Sequence, residues 1–222
     1  VERGGRTVLQ DVNFSLPGGQ WVALIGRNGS GKTTLLRTLA GLQPFTGKIQ
    51  VQTPSGPETP SLSMVFQNPD LQLFNPTVRD EILYKIPDPD LQWYAWLVQA
   101  LGLLRYESTA PQLLSEGEKR RTALATALMH RAQHGVLLDE PSLGQDDRHK
   151  TILARTLRRL AQAGYLVVTA THDLELAAHA DSMLLLTPQG ILAHGATGQI
   201  LRQTGLWQQL GLWLPEWVQE TP

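Results

Sequence analysis

Short apolar runs alternate along the chain with longer stretches in which apolar residues recur every three or four positions. Trp21 to Ile25, Leu62 to Phe66, Val136 to Leu138 and Leu166 to Thr169 are strand-sized and bounded by Gly, Pro or polar residues, as in strands buried on both faces. Lys32 to Ala40, Glu118 to Arg131 and Asp146 to Ala163 carry helical spacing, and Gly164 closes the last of them. Strands and helices in alternation predict an α/β fold with a mostly parallel sheet. Two parts break the rhythm. Residues 1–20 and 47–60 are punctuated by Pro17, Gly18, Gly19, Pro54, Gly56, Pro57 and Pro60, which predicts a small antiparallel β addition. Residues 70–114 hold helical patterns, notably Leu91 to Leu101, without a clear strand, and read as a helical insertion between two core strands.

Composition narrows the class. The 222 residues are 41% hydrophobic and 18% charged, enough apolar material for one sizeable core. Lys plus Arg number 19 against 20 Asp plus Glu, so a polybasic nucleic-acid binder is not expected. The chain has no Cys, which removes disulfides, thiolate zinc sites and cysteine nucleophiles. The longest apolar candidates, Leu166 to Ala170 and Met183 to Leu186, fall far short of the roughly 20 residues of a spanning helix. Val1 to Gly5 lacks a basic and then apolar leader pattern. Contact with a membrane is therefore expected to come through a partner.

The turn after Trp21 to Ile25 reads Gly26-Arg-Asn-Gly-Ser-Gly-Lys-Thr33, that is G-x-x-x-x-G-K-[ST], after a predicted strand and opening a predicted helix. Glycines there let backbone N–H groups converge on phosphate oxygens, and the helix start adds favourable potential for an anion. Gly26, Asn28, Gly29, Ser30, Gly31, Lys32, Thr33 and Thr34 are the candidate phosphate residues. Lys32 would reach the β- and γ-phosphates and Thr33 would ligate Mg²⁺. The motif predicts nucleoside triphosphate binding. Downstream, Gly135 to Pro141 is a buried strand ending in two carboxylates. Beside a phosphate loop, Asp139 is expected in the Mg²⁺ shell and Glu140 as the general base that polarises the attacking water.

One helix upstream of that acidic pair stands Leu114-Ser-Glu-Gly-Glu-Lys-Arg-Arg121. With the phosphate loop, Gln67, Asp139-Glu140, Ser142 to Asp146 and His172 in this order, the chain resembles ATP-binding subunits of ABC transporters over nearly its whole length. The resemblance implies a P-loop NTPase core of the ABC ATPase fold, a single domain over 1–222 with a helical subdomain at 68–116 inserted in the core. It implies ATP and Mg²⁺ as ligands, two chains sandwiching two ATP molecules, and Ser115, Gly117 and Glu118 serving the γ-phosphate held by the opposite chain. In the same terms Gln67 would meet Mg²⁺ or the attacking water, His172 would bond the γ-phosphate and orient Glu140, and Asp146 would lie at the dimer seam. From chemistry alone, Ser115 with Glu118 also makes a capping box and Asp146 an N-cap. Glu116 stands where many members have Gly, and a carboxylate there is expected to point away from phosphate. Near Arg3, members usually carry an aromatic that stacks on adenine; either the Arg3 guanidinium takes that place or the segment is incomplete.

Phe66 to Val78 (Phe-Gln-Asn-Pro-Asp-Leu-Gln-Leu-Phe-Asn-Pro-Thr-Val) and Leu210 to Trp217 are similar to the energy-coupling-factor subgroup, which powers uptake of vitamins and of cobalt or nickel. That implies an integral membrane partner, docked at Asn68 to Glu81, and a peripheral place on the cytoplasmic face of the membrane. A second ATPase chain, identical or not, completes the dimer. A non-transport ABC ATPase of DNA repair or translation would carry a long coiled-coil insertion or two ATPase units. A P-loop kinase or GTPase would share only the phosphate loop. The histidines His130 and His134 are i, i+4 without a third ligand and read as surface or helix-end residues. In the C-terminal apolar segment, 204–222, Leu206, Leu210, Trp213 and Trp217 recur at helical period. That stripe predicts either packing on its own subunit or a tail-to-tail dimer contact.

Overall fold

The computed structural model describes residues 1–3, 6–130, 134–214 and 218. In chain order, an antiparallel pair of two-residue strands, β1 (Glu2–Arg3) and β2 (Arg6–Thr7), precedes β3 (Trp21–Ile25) and α1 (Lys32–Leu39). A second antiparallel pair, β4 (Val51–Thr53) and β5 (Gly56–Glu58), leads into β6 (Leu62–Val65). Next come α2 (Val78–Ile82), α3 (Leu91–Ala100) and α4 (Glu116–Met129), and then β7 (Gly135–Asp139). The remainder is α5 (Asp147–Gln162), β8 (Leu166–Ala170), α6 (Leu174–Ala177), β9 (Ser182–Thr187), β10 (Gly190–Ala196), α7 (Thr197–Arg202) and α8 (Thr204–Leu210).

Six strands form the main sheet in the order β10-β9-β3-β8-β7-β6, all parallel except β10, which runs antiparallel to β9. The two short antiparallel pairs stand apart from it. The α/β fold with a mostly parallel sheet is as the hydrophobic pattern predicts. Period-two alternation explains the apolar runs: Trp21, Ala23 and Ile25 pack into one core layer, Val22 and Leu24 into the other. Val136 and Leu138 face the first layer and Leu137 the second. Full burial of each such side chain stabilises by roughly 1.5–3 kcal/mol. Trp21 keeps its one donor satisfied, its Nε1–H donating to Thr169 Oγ1 at 2.9 Å within the core.

Because the strands are parallel, their carboxyl ends line one edge, where β3 delivers the phosphate loop and β7 the acidic pair. β10 escaped the sequence reading: Gly190–Ala196 is rich in small residues, half-exposed at the sheet edge and broken by a bulge between Ile191 and Ala193. The tail stripe is cut short. Gly211, at φ +67°, ends α8, so the helical period stops there. Leu210 and Trp207 are buried against their own chain, and Trp207 Nε1–H donates to Ile200 O at 3.0 Å. Trp213, beyond the helix, is 95% exposed, and Trp217 lies outside the described residues.

Candidate nucleotide site

The phosphate loop is shaped by positions where only glycine fits. A Cβ on Gly26 would stand 2.5 Å from Leu186 O and from Ser30 Oγ. Gly31, at φ +99°, would push a Cβ to 2.7 Å from Leu9 Cδ2. Gly31 occupies the N-cap of α1 without any side-chain cap bond, and the first turn holds no acidic residue. The start of α1 therefore keeps its backbone donors open toward a cleft of about 410 Å³.

That cleft is lined by Val8, Asn28, Gly29, Gly31, Lys32, Thr33, Thr34, Gln67, Asp139, Glu140, Leu143 and His172. Ten of these are residues the sequence singled out. Gly26 and Ser30 lie buried beneath the loop rather than on its lining. Val8 and Leu143 were missed, since nothing in an isolated apolar residue marks it as a wall. Among the described residues lining the cleft there is no Phe, Tyr or Trp. Arg3 is placed in β1, and its side chain lies outside what the structure describes.

Within the cleft the polar groups are arranged in three neighbouring sets of contacts. Lys32 Nζ donates to Gly26 O at 2.7 Å and to Arg27 O at 3.3 Å, folding over its own loop. Burial depresses the Lys32 pKa, with the Glu140 and Asp139 charges pulling the other way. Thr33 Oγ1 donates to Asp139 Oδ2 at 2.8 Å. Asp139 is buried, which raises its pKa; the Glu140 charge adds to this, while the Thr33 hydrogen bond and the Lys32 and Arg37 cations oppose it. The Glu140 Oε2 is 2.9 Å from His172 Nδ1 and also accepts the His172 backbone N–H at 3.4 Å. Glu140 itself sits at φ +50°, a left-handed conformation that costs a non-glycine residue on the order of 1–3 kcal/mol. The geometry aims one carboxylate, steadied by an exposed imidazole, at the space above an open helix start.

Other candidates lie elsewhere. Ser115, Gly117 and Glu118 are not on the cleft. Ser115 is exposed and closes α4 with a capping box: its Oγ accepts Glu118 N–H at 3.4 Å and Glu118 Oε2 accepts Ser115 N–H at 2.8 Å. Glu116 is exposed and pairs with Lys119 at 3.3 Å, on its own helix. Asp146 is exposed and caps α5, accepting His149 N–H at 2.8 Å. His134 Nδ1 accepts Ser61 N–H at 2.9 Å, which commits that ring to the entry of β6.

Between β6 and α2 the chain is latched by two side chains that sequence reasoning passed over. Gln72 accepts Phe66 N–H and donates to Met64 O, both at 2.9 Å. Glu81, a buried carboxylate, accepts Phe74 and Asn75 N–H, both at 2.7 Å. The latches hold Leu71 and Phe74 outward, about two thirds exposed. An acidic residue in a first helical turn resembles any dipole partner, so its inward aim left no signal in the sequence.

Comparison with known proteins agrees with this geometry. The ABC transporter family model matches residues 9–143. The putative HMP/thiamine import ATP-binding protein YkoD of Bacillus subtilis (strain 168) is 38% identical over 230 residues, covering 97% of this chain but 42% of that protein. The energy-coupling factor transporter ATP-binding protein EcfA1 of Bacillus licheniformis is 34% identical over 224 residues, covering 95% of this chain and 79% of the relative. The chain thus spans less than half of the first relative and about four fifths of the second. Among solved structures, cbiO1 of Clostridium perfringens, described as part of the ABC transporter complex cbiONQ, superposes with a TM-score of 0.76 at 22% identity, over 96% of this chain and 91% of that one. A family match over more than half the chain, laid on a phosphate loop and an acidic strand end that share one cleft, makes this protein a member of the ABC transporter family.

Proposed function

We propose that this chain is the ATP-hydrolysing subunit of a membrane uptake transporter of the energy-coupling-factor type, taking in a vitamin or a transition metal ion. The single observation that carries the chemistry is the Thr33–Asp139 and Glu140–His172 pairing beside Lys32 in one cleft. The names of the relatives, HMP/thiamine import and energy-coupling factor, support the transport class.

The backbone of Gly26 to Thr34 cradles the triphosphate, with the Asn28 and Thr34 side chains beside it, and Lys32 leaves its own loop carbonyls for phosphate oxygens. A hydroxyl bonded to a buried carboxylate is a hard-oxygen donor set, which fits Mg²⁺ held by few protein ligands and by substrate phosphates. Thr33 and Asp139, with Gln67 at the rim, would hold that ion; bound there it neutralises charge on the phosphates. Glu140 takes a proton from a water whose oxygen attacks the γ-phosphorus, the bridge to ADP breaks, and His172 keeps the carboxylate aimed. Ser115 is exposed, Gly117 and Glu118 are half-buried, and all three lie off this chain's own cleft, which supports their use by the cleft of a second chain, with Asp146 at the seam. The exposed Leu71 and Phe74 suit an integral partner at 68–81. Among the described residues no helix is long and apolar enough to cross a membrane. The relatives named as transporter ATP-binding proteins support a peripheral place at the cytoplasmic face.

Glu140→Gln keeps size and hydrogen bonding while removing basicity. Hydrolysis should fall by roughly 10² or more, with ATP affinity retained and an ATP-bound dimer accumulating. Wild-type turnover by this variant would exclude the base assignment.

A further inference from the structure

We propose that Arg120, on the signature helix α4, is a positioning residue for the catalytic carboxylate, acting through the backbone of Glu140. This rests on the reading of Glu140 as general base. The β7–β8 ladder ends at Asp139, paired with Ala170, and Glu140 N–H still donates to Ala170 O at 2.8 Å. The left-handed turn at φ +50° then swings the Glu140 carbonyl out of the sheet. It is met there by Arg120 Nη1, which donates to it at 2.8 Å, and by Leu143 N–H at 3.3 Å. A left-handed non-glycine residue persists only where its surroundings fix it, and the guanidinium is the charged member of that fixing set.

The reach of Arg120 matters because of what surrounds it. Its neighbour Lys119 pairs with Asp70 at 2.8 Å, in the turn that follows Gln67. Adjacent residues of α4 therefore touch the turn that follows Gln67 and the backbone of the cleft's carboxylate. Burial lowers the Arg120 pKa, opposed by the Glu116 and Glu140 charges. A carboxylate whose main chain relaxes toward ordinary φ would carry its oxygens away from His172, and a general base works only within hydrogen-bond reach of its proton.

A plain structural staple between α4 and β7 would have a different signature, and kinetics on the full chain separates the two. Arg120→Met keeps the stem and removes the donor; Arg120→Lys restores one donor. The expected result for Met is kcat lowered about tenfold with the KM for ATP within about twofold, and recovery to within about threefold for Lys. In a Glu140→Gln background, Arg120→Met should change the residual rate by less than about twofold, since two residues acting through one group are not additive. The proposal is overturned by a Met variant at wild-type kcat. It is equally overturned by the same tenfold fall in the Gln background, or by a Met variant that loses ATP affinity together with turnover. Wild-type turnover by Glu140→Gln alone would instead remove the base reading itself, a result visible without any Arg120 variant.

Discussion

Two helix starts in this chain follow phosphate-associated sequence patterns, yet they are built in opposite ways. The start of α1 has a glycine at its N-cap, no side-chain cap, no acidic residue in the first turn and a buried lysine. The start of α4 has a serine cap, a complete capping box and two glutamates in its first turn. The first leaves its donors open in a cleft. The second ties the Ser115 and Glu118 N–H groups to its own side chains. An anion can enter α1 without displacing a side chain, whereas at α4 it must compete with the Glu118 carboxylate. What the contrast teaches is that α1 presents an open anion site within one chain, while α4 is closed by its own side chains and, as we propose, serves a ligand only when another chain brings it.

The largest effects follow from breaking that division. Lys32→Ala should weaken ATP binding by roughly 10²-fold, as loss of charge-assisted hydrogen bonds worth about 1.5–3 kcal/mol each implies. Ser115→Arg should leave ATP affinity of the chain unchanged and abolish hydrolysis. Each variant alone is inactive, but a heterodimer of the two carries both lesions in one site and none in the other. Calorimetry and turnover on the mixture check this. Activity that fails to return in proven heterodimers would mean that α4 does not complete a second chain's cleft.

The same contrast shows what the sequence could and could not carry. The phosphate loop was legible because its fixed letters sit at backbone positions where a Cβ has no room, Gly26 and Gly31 above all. The parallel sheet was legible because β3 and β7 are apolar on both faces. The Ser115–Glu118 spacing announced a cap, and the cap is there. Contacts decided by tertiary placement were not legible: Val8 and Leu143 as walls, Gln72 and Glu81 as latches, Arg120 at the Glu140 carbonyl. The tail misled because periodicity continued past Gly211, where the backbone does not, so Trp207 and not Trp213 became the buried anchor.

Smaller effects sharpen the comparison on the stability axis. Ser115→Ala should cost about 0.5–2 kcal/mol, the usual worth of an N-cap. In a chain of this size that lowers the melting temperature by roughly 2–4 °C per kcal/mol. The pH dependence has a definite sign. Burial would raise the Glu118 pKa, but hydrogen bonds from Tyr106 and from the Ser115 N–H and hydroxyl, with the Arg121 cation, outweigh it and hold the carboxyl below its usual range. A depressed folded pKa contributes stability above the unfolded value of about 4.3, and that stability is lost as pH falls through the folded one. Thermal melts should therefore show the Ser115→Ala deficit shrinking in acid. A deficit that stays constant from neutral pH to below the folded pKa would detach the carboxylate from the cap.

The smallest effect is expected in the cleft and with the opposite sign. Asp139 has its pKa raised, first by burial and then by the Glu140 charge, against the Thr33 hydrogen bond and the Lys32 and Arg37 cations. A raised folded pKa gives stability that is complete below the unfolded value of about 3.9 and lost as pH rises through the folded one. Ionising Asp139 in the ligand-free protein is thus a net cost to the fold. Asp139→Asn keeps an acceptor for the Thr33 hydroxyl and removes the charge. Part of the gain is offset, because Lys32, already depressed by burial, loses one of its two supporting anions. A modest rise in melting temperature remains, and it should vanish below the unfolded pKa, where the wild-type carboxyl is neutral as well. Substituting the cap residue should destabilise the fold while substituting the cleft residue stabilises it. If Asp139→Asn instead melts below wild type at neutral pH, the cleft is held together by its charges, and ionising Asp139 is not a cost to the ligand-free fold.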